Sequence, residues 1–332
     1  MKGREHSRGF TLLELLVAVT ITLLLVGLIL SVTTSVLNLW RRTQGGFGAT
    51  TGAKLALDLI ERDLHGALYR RDGGTWLAVT VLNDLAGLGN RGWITTGTRL
   101  KPATAESLRL LPTVDAAGEQ RLRDARFGLS GAWLRFIAAN VESGGSLPIA
   151  VAYQLARRPL TGSVVSSNPA PVRYTLFRST VAAGTTFTSG YNVDAAAYTS
   201  ASNSPGAQRA GSTIANPVTL DALATNVLDF GLWLYARNPD GTLRRIYPAS
   251  NGDLGHSALG LAAPADANRM PEVADVMLRI LSEAGAAQIE NIESGRITRP
   301  PQYASDAEWW WAVAEANSRV SVRRVLIEGT AP

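Results

Sequence analysis

From Phe10 to Leu30 the chain runs almost continuously apolar for 21 residues, and the one charge inside the run is Glu14. As a helix rising 1.5 Å per residue, this stretch would be about 31 Å long, enough to cross the hydrocarbon core of a bilayer. The helical pattern continues through Val32, Val36, Leu37, Leu39 and Trp40 to Arg41 and Arg42. An aromatic ring followed by cations suits a membrane interface. Gly45, Gly46 and Gly48 then predict a break or kink around Gln44–Gly48, because each glycine costs about 1 kcal/mol in a helix interior. Periodicity returns from Ala53 to Arg70, with Leu57, Ile60, Leu64 and Leu68 on one face and Lys54, Asp58, Glu61, Arg62 and His65 elsewhere. That is an amphipathic helix, and its apolar side is expected to lie against a sheet.

Beyond Asp72-Gly73-Gly74 the pattern changes to short apolar-alternating runs between clusters of Gly, Pro, Asn and Ser. These read as antiparallel strands near Ser107–Leu111, Ala132–Ala138, Ile149–Arg157, Val172–Ser179, Val227–Ala236, Leu243–Tyr247, Val273–Leu281 and Arg319–Ile327. The clearest hairpin joins Leu228–Tyr235 to Leu243–Tyr247 through Asn238-Pro239-Asp240-Gly241. A Ser-, Ala-, Thr- and Gly-rich stretch at about 184–217 reads as an exposed, flexible insertion. Near the end, Ser305-Asp306-Ala307-Glu308 has the form of a capping box ahead of Trp309, Trp310 and Trp311. Neighbours on a helix stand 100° apart, so at least one of these rings is expected at a boundary surface or against another subunit.

The predicted fold class is α+β: a long N-terminal transmembrane and stalk helix followed by an antiparallel β-sheet headpiece. By segment, this gives a basic leader at 1–9, the membrane and stalk helix at 10–42, a Gly-rich break with an amphipathic helix at 43–72, and a β-rich headpiece at 73–332.

Charge sets the orientation of the anchor. Lys2, Arg4 and Arg8 precede the apolar run with only Glu5 against them. That excess is expected to stay on the cytoplasmic side and leave the headpiece on the far side of the membrane. The leader supplies +2 of the net +5, so +3 remains after it. The basic pairs Arg70-Arg71, Arg157-Arg158, Arg244-Arg245 and Arg323-Arg324 are scattered among carboxylates and read as solvated faces. They form no nucleic-acid stripe. Cysteine is absent, so packing has to hold the exported part together without disulfides.

The remaining puzzle is Glu14. A carboxylate in hydrocarbon costs about 2.5 kcal/mol or more, yet no Lys, Arg or His lies in the span. A secretory signal peptide would have an apolar core of about 7–15 residues and a small-residue cleavage site. A plain signal anchor gives no reason for a Gly-Phe junction with a glutamate four residues beyond the Phe. The stretch Gly9-Phe10-Thr11-Leu12-Leu13-Glu14 resembles the N-terminal signature of type IV prepilins and type II secretion pseudopilins. That resemblance implies cleavage by a prepilin peptidase between Gly9 and Phe10 and N-methylation of Phe10. It also implies an assembly role for Glu14, which would meet the N-terminal amine of a neighbouring subunit. The implied partners are the peptidase, other pilin-like subunits through the N-terminal helix, and the inner membrane. The headpiece would lie in the periplasm and the subunit in an envelope-spanning filament.

Leu57–Leu64 resembles the corresponding stretch of the J-type minor pseudopilins. The order of a Val-Arg-Tyr strand at Val172, the aromatic strand at Leu228 and a terminal Arg-Arg-Val-Leu-Ile strand is similar to theirs. Uncharacterised prepilin-type families such as the Verru_Chthon cassette proteins are also compatible. Major type IV pilins commonly carry a proline where this chain has Ser31.

No catalytic constellation emerges. His6 belongs to the leader, His65 to the polar helix face and His256 to a loop after Asn251-Gly252-Asp253, and no Gly-x-Ser-x-Gly frames a nucleophile. Metal ligation finds no support, since cysteine is missing and no two histidines have ligand spacing. Asp240-Gly241 and Asn251-x-Asp253 are too sparse in oxygen for calcium and read as turns. No cofactor-binding loop is present, because Gly45–Gly48 lacks the following Lys-Ser/Thr of a phosphate cradle. The reading from a different class is a signal-anchored envelope enzyme or carbohydrate-binding module.

Overall fold

The computed structural model describes residues 12–82, 101–102, 122–127, 131–139, 147–159, 172–195, 198, 214–215, 217–249 and 255–327. The chain divides into two compact units, Met1–Phe47 and Gly48–Pro332. Helix α1 spans Leu12–His65 and contributes to both. Its backbone stays helical through Gln44–Gly48, so the helix is not broken at these glycines. Glycine weakens a helix by entropy alone and introduces no clash, so flanking helix formers can carry it.

In the second unit the described strands form two antiparallel sheets. The first has six strands: β1 (Thr75–Leu82), β2 (Gly131–Ala138), β3 (Ile149–Pro159), β4 (Val172–Val181), β5 (Ala222–Thr225) and β8 (Gly255–Leu259). Their order is β5-β4-β3-β2-β1-β8. The second has four: β6 (Val227–Arg237), β7 (Leu243–Tyr247), β9 (Val273–Leu281) and β10 (Ser318–Leu326), in the order β10-β9-β6-β7. An apolar anchor helix followed by antiparallel sheets is the α+β arrangement expected from the sequence. Strands β1, β5 and β8 were not evident in the hydrophobic pattern, and the expected strand at 107–111 lies outside the described residues.

The main core lies between the two sheets and the C-terminal part of α1. Ala49, Ala53, Ala56, Leu57, Ile60 and Leu64 are buried there, with the spacing of one helix face. They meet Leu134 and Phe136 of β2, Val151 and Tyr153 of β3, and Phe230 and Leu232 of β6. The helix ends at His65, short of the expected Arg70. Ala67 then bridges to Ala138, and the Leu68 N–H donates to the Ile137 carbonyl at 2.8 Å. Pairing with the end of β2 replaces the last helical turn, so Leu68 leaves the expected face.

Polar contacts also hold α1. Asp63 accepts hydrogen bonds from the Tyr153 hydroxyl at 2.6 Å and from Arg178 Nε at 2.7 Å, both from the first sheet. On the second sheet, Arg323 of β10 pairs with Asp58 and with Glu61. Asp63→Ala would leave the buried Tyr153 hydroxyl without its acceptor, a loss of about 1–3 kcal/mol. A lower denaturant midpoint with an unchanged slope would register it.

The other face of the first sheet is covered too. Trp76, Ala78, Trp133, Ile137 and Ala152 pack against Val193, Tyr198, Ile214 and Ala215. The Ile214 carbonyl accepts from Trp133 Nε1 at 3.1 Å and from Gln154 Nε2 at 2.9 Å. Within the stretch at 184–217, these residues are therefore packed against the sheet, which corrects the reading of an exposed insertion there. Helix α2 (Ala183–Thr188) opens this cover.

On the second sheet Gly231 lets the tip of the Phe127 ring come against the strand. A Cβ added at Gly231 would stand 2.1 Å from Phe127 Cζ. Gly231→Ala is expected to cost about 1–3 kcal/mol by overpacking. A companion Phe127→Leu change should recover part of that loss in thermal unfolding.

Candidate functional site

Residues Gly9 and Phe10 lie outside the described residues, and Glu14 falls in the first turn of α1, its side chain also outside them. Leu15–Thr34 is long and apolar enough to cross a membrane. Leu12, Leu24, Leu28 and Leu30 are all exposed, on several sides of the helix. A helix that is apolar all round requires lipid or other helices as its surroundings. Two of its hydroxyls bond to its own backbone: Thr20 donates to the Val17 carbonyl at 2.8 Å, and Thr34 to the Leu30 carbonyl at 2.9 Å. Such back-bonding removes the need for water inside hydrocarbon.

A family model described as the prokaryotic N-terminal methylation motif matches residues 4–30, covering Gly9, Phe10 and Glu14. The chain carries a prepilin-type amino terminus. No curated protein and no solved structure matches the chain. The prepilin-type motif supports a pilin-like protein and implies processing by a prepilin peptidase and assembly with other pilin-like subunits. Together with the apolar helix it supports anchoring in a membrane.

The headpiece holds a second constellation that sequence reasoning missed. Helix α3 (Glu283–Glu293) and helix α4 (Asp306–Ala316) pack with Tyr174 and Leu228 in a cluster of their own. Ser305 caps α4, its Oγ accepting from the Glu308 N–H at 3.1 Å. Glu308 reaches back one residue further than the box requires, to the Ala304 N–H at 2.7 Å. All three tryptophans are buried, which corrects the expectation of an exposed ring. The helix is covered on more than one side: Trp310 stands edge-on to Tyr174, and Arg126 lies over Trp311 with its guanidinium carbon 4.7 Å from the ring centre.

Buried charges join these helices to the sheets. The Glu293 carboxylate accepts from Arg157 Nε at 2.9 Å, the Tyr174 hydroxyl at 2.6 Å and Trp310 Nε1 at 3.2 Å. Burial pushes the Glu293 carboxyl up from its ordinary value, with Arg157 opposing. Asp229 lies between Lys101 and Arg279, and the Lys101 N–H reaches the Tyr174 oxygen at 3.2 Å. The solvated reading of the basic pairs is therefore corrected at Arg157, which points inward. Adjacent strand residues face opposite ways, so one member of such a pair can be internal. Partners lying 128 and 136 residues apart leave no local signal for these contacts.

His256 is buried, its Nε2 2.8 Å from the Arg269 carbonyl oxygen, and His65 lies 3.9 Å from Glu61. Among the described residues no three carboxylates or histidines converge as a metal site would need.

Proposed function

We propose that this chain is a pseudopilin-type subunit whose work is assembly rather than catalysis. A prepilin peptidase cuts between Gly9 and Phe10, Phe10 is N-methylated, and the apolar helix anchors the subunit in the inner membrane with the headpiece in the periplasm. The subunit is then extracted into a type II secretion pseudopilus or a type IV pilus-like filament, as a minor or tip component. The observation that carries this reading is Glu14, a lone carboxylate in an apolar helix placed four residues after a Gly-Phe junction, inside the matched motif.

The helix serves two environments in succession. In the membrane lipid surrounds it, and in the filament its neighbours' helices do. Glu14 contributes register in the second, because buried ion pairs carry desolvation costs that offset much of their attraction. The J-like stretch Leu57–Leu64 favours the tip of a secretion pseudopilus.

Mass spectrometry of the N-terminal peptide from cells containing the peptidase tests the proposal. A mature chain beginning with methylated Phe10 is the expected result. An intact Met1, or a cut after Leu30, would instead favour an anchored envelope enzyme or a carbohydrate-binding module.

A further inference from the structure

Lys101 and Asp229 form an ion pair in which neither side chain retains any exposed surface. The Lys101 Nζ lies 2.6 Å from Asp229 Oδ1 and donates also to the Leu228 carbonyl oxygen at 2.6 Å. Asp229 Oδ2 accepts from Arg279 Nε at 2.8 Å, and the Phe127 N–H points at Oδ1 from 3.4 Å. The Trp311 ring centre is 5.8 Å from Nζ. Burial shifts Lys101 toward the neutral amine, against the attraction of Asp229. An amine is thus pressed against a carboxyl group in a fully buried pocket, with a guanidinium on the second carboxyl oxygen. Intramolecular acyl transfer requires those elements: proximity, a nucleophile stripped of water, and a positive charge where the oxyanion develops.

We propose that Lys101 and Asp229 join in an intramolecular isopeptide bond. The Lys101 Nζ–Asp229 Cγ bond forms, the Cγ–Oδ1 bond breaks, and Oδ1 departs as water carrying two of the three ammonium protons. Arg279 remains on Oδ2, first facing the negative charge of the tetrahedral intermediate and then donating to the amide oxygen. One cation and one anion disappear together, so the net charge of the cluster is unchanged and no further reactant is needed. The step also relieves the desolvation cost of the buried pair. The product ties the segment at Lys101 to β6, 128 residues further along the chain, across the part of the headpiece where α4 packs. This inference goes beyond the filament reading and stands or falls apart from it.

The test is peptide mass spectrometry on the full-length chain, purified in detergent, denatured and digested with trypsin. The expected product is a branched peptide that joins the Lys101 and Asp229 segments and is one water lighter than their sum. Lys101→Arg keeps the charge but removes the nucleophilic amine, and should yield only linear peptides. Recovery of both wild-type segments solely in linear form would overturn the proposal, as would a branched product at Asp229 that persists in Lys101→Arg. The wild-type masses decide the proposal by themselves, so a folding defect in the variant does not obscure the test.

Discussion

Glu14→Ala is expected to leave cleavage at Gly9 intact while reducing incorporation into filaments roughly a hundredfold or more, given 3–5 kcal/mol for stripping one partner from a buried charge pair. The reasoning starts from the span, where Glu14 is the single ionisable side chain between Phe10 and Leu30. While the subunit waits in the membrane, Glu14 lies close to the start of the span, where water can reach a charged side chain, so the anchor tolerates it. Once helices pack together, a cationic amine on a neighbour is the partner the proposal supplies, and alanine leaves that amine buried alone. Glu14→Gln should fall between the two, since it keeps a hydrogen-bond acceptor and loses the charge. The ratio of sheared filament material to membrane-held protein, read by immunoblot, measures the effect. Equal incorporation of wild type and Glu14→Ala would remove the electrostatic basis of the filament reading.

The parts of the fold that were legible in the sequence have one uncovered side or a strong turn. The C-terminal half of α1 shows its buried stripe of Leu57, Ile60 and Leu64 because the opposite face carries charge. The β6–β7 hairpin shows itself through its turn, where Gly241 takes a positive φ of 86° and Asp240 Oδ1 accepts from the Thr242 N–H at 2.9 Å. Strand β1 was hidden for the opposite reason. Leu77 and Val79 face the main core while Trp76 and Ala78 face the outer cover, so Thr75–Leu82 has no polar side to alternate with. Helix α3 was hidden because glycine and short alanines blur its period, although the Ser282 cap on the Gly285 N–H offered a usable signal.

The candidate site divides the same way. Gly9, Phe10 and Glu14 form a local motif readable in six residues. The cluster around Glu293 and Asp229 depends on partners brought together by sheet topology, and charged residues taken singly look like surface.

That cluster gives the second large effect. Glu293→Ala would leave the buried Arg157 without its carboxylate and the Tyr174 hydroxyl and Trp310 Nε1 without an acceptor. The expected loss is about 3–5 kcal/mol of unfolding free energy, the usual result of stranding one member of a buried pair. The pH dependence distinguishes this carboxylate from an ordinary surface one. Burial raises the Glu293 carboxyl above its ordinary value of 4.5, the effects of Arg157, Tyr174 and Trp310 notwithstanding. The folded state therefore binds this proton more tightly than the unfolded chain does. Its stabilising contribution is complete below pH 4.5 and is lost as pH rises through the folded-state value. Glu293→Gln cannot titrate, so the stability of wild type relative to Glu293→Gln should decline as pH rises across the weakly acidic range. Urea unfolding of both proteins at a series of pH values measures this directly. A relative stability that instead grows with pH would mean that the attraction of Arg157 outweighs burial, and that the ionised carboxylate is the form the fold prefers.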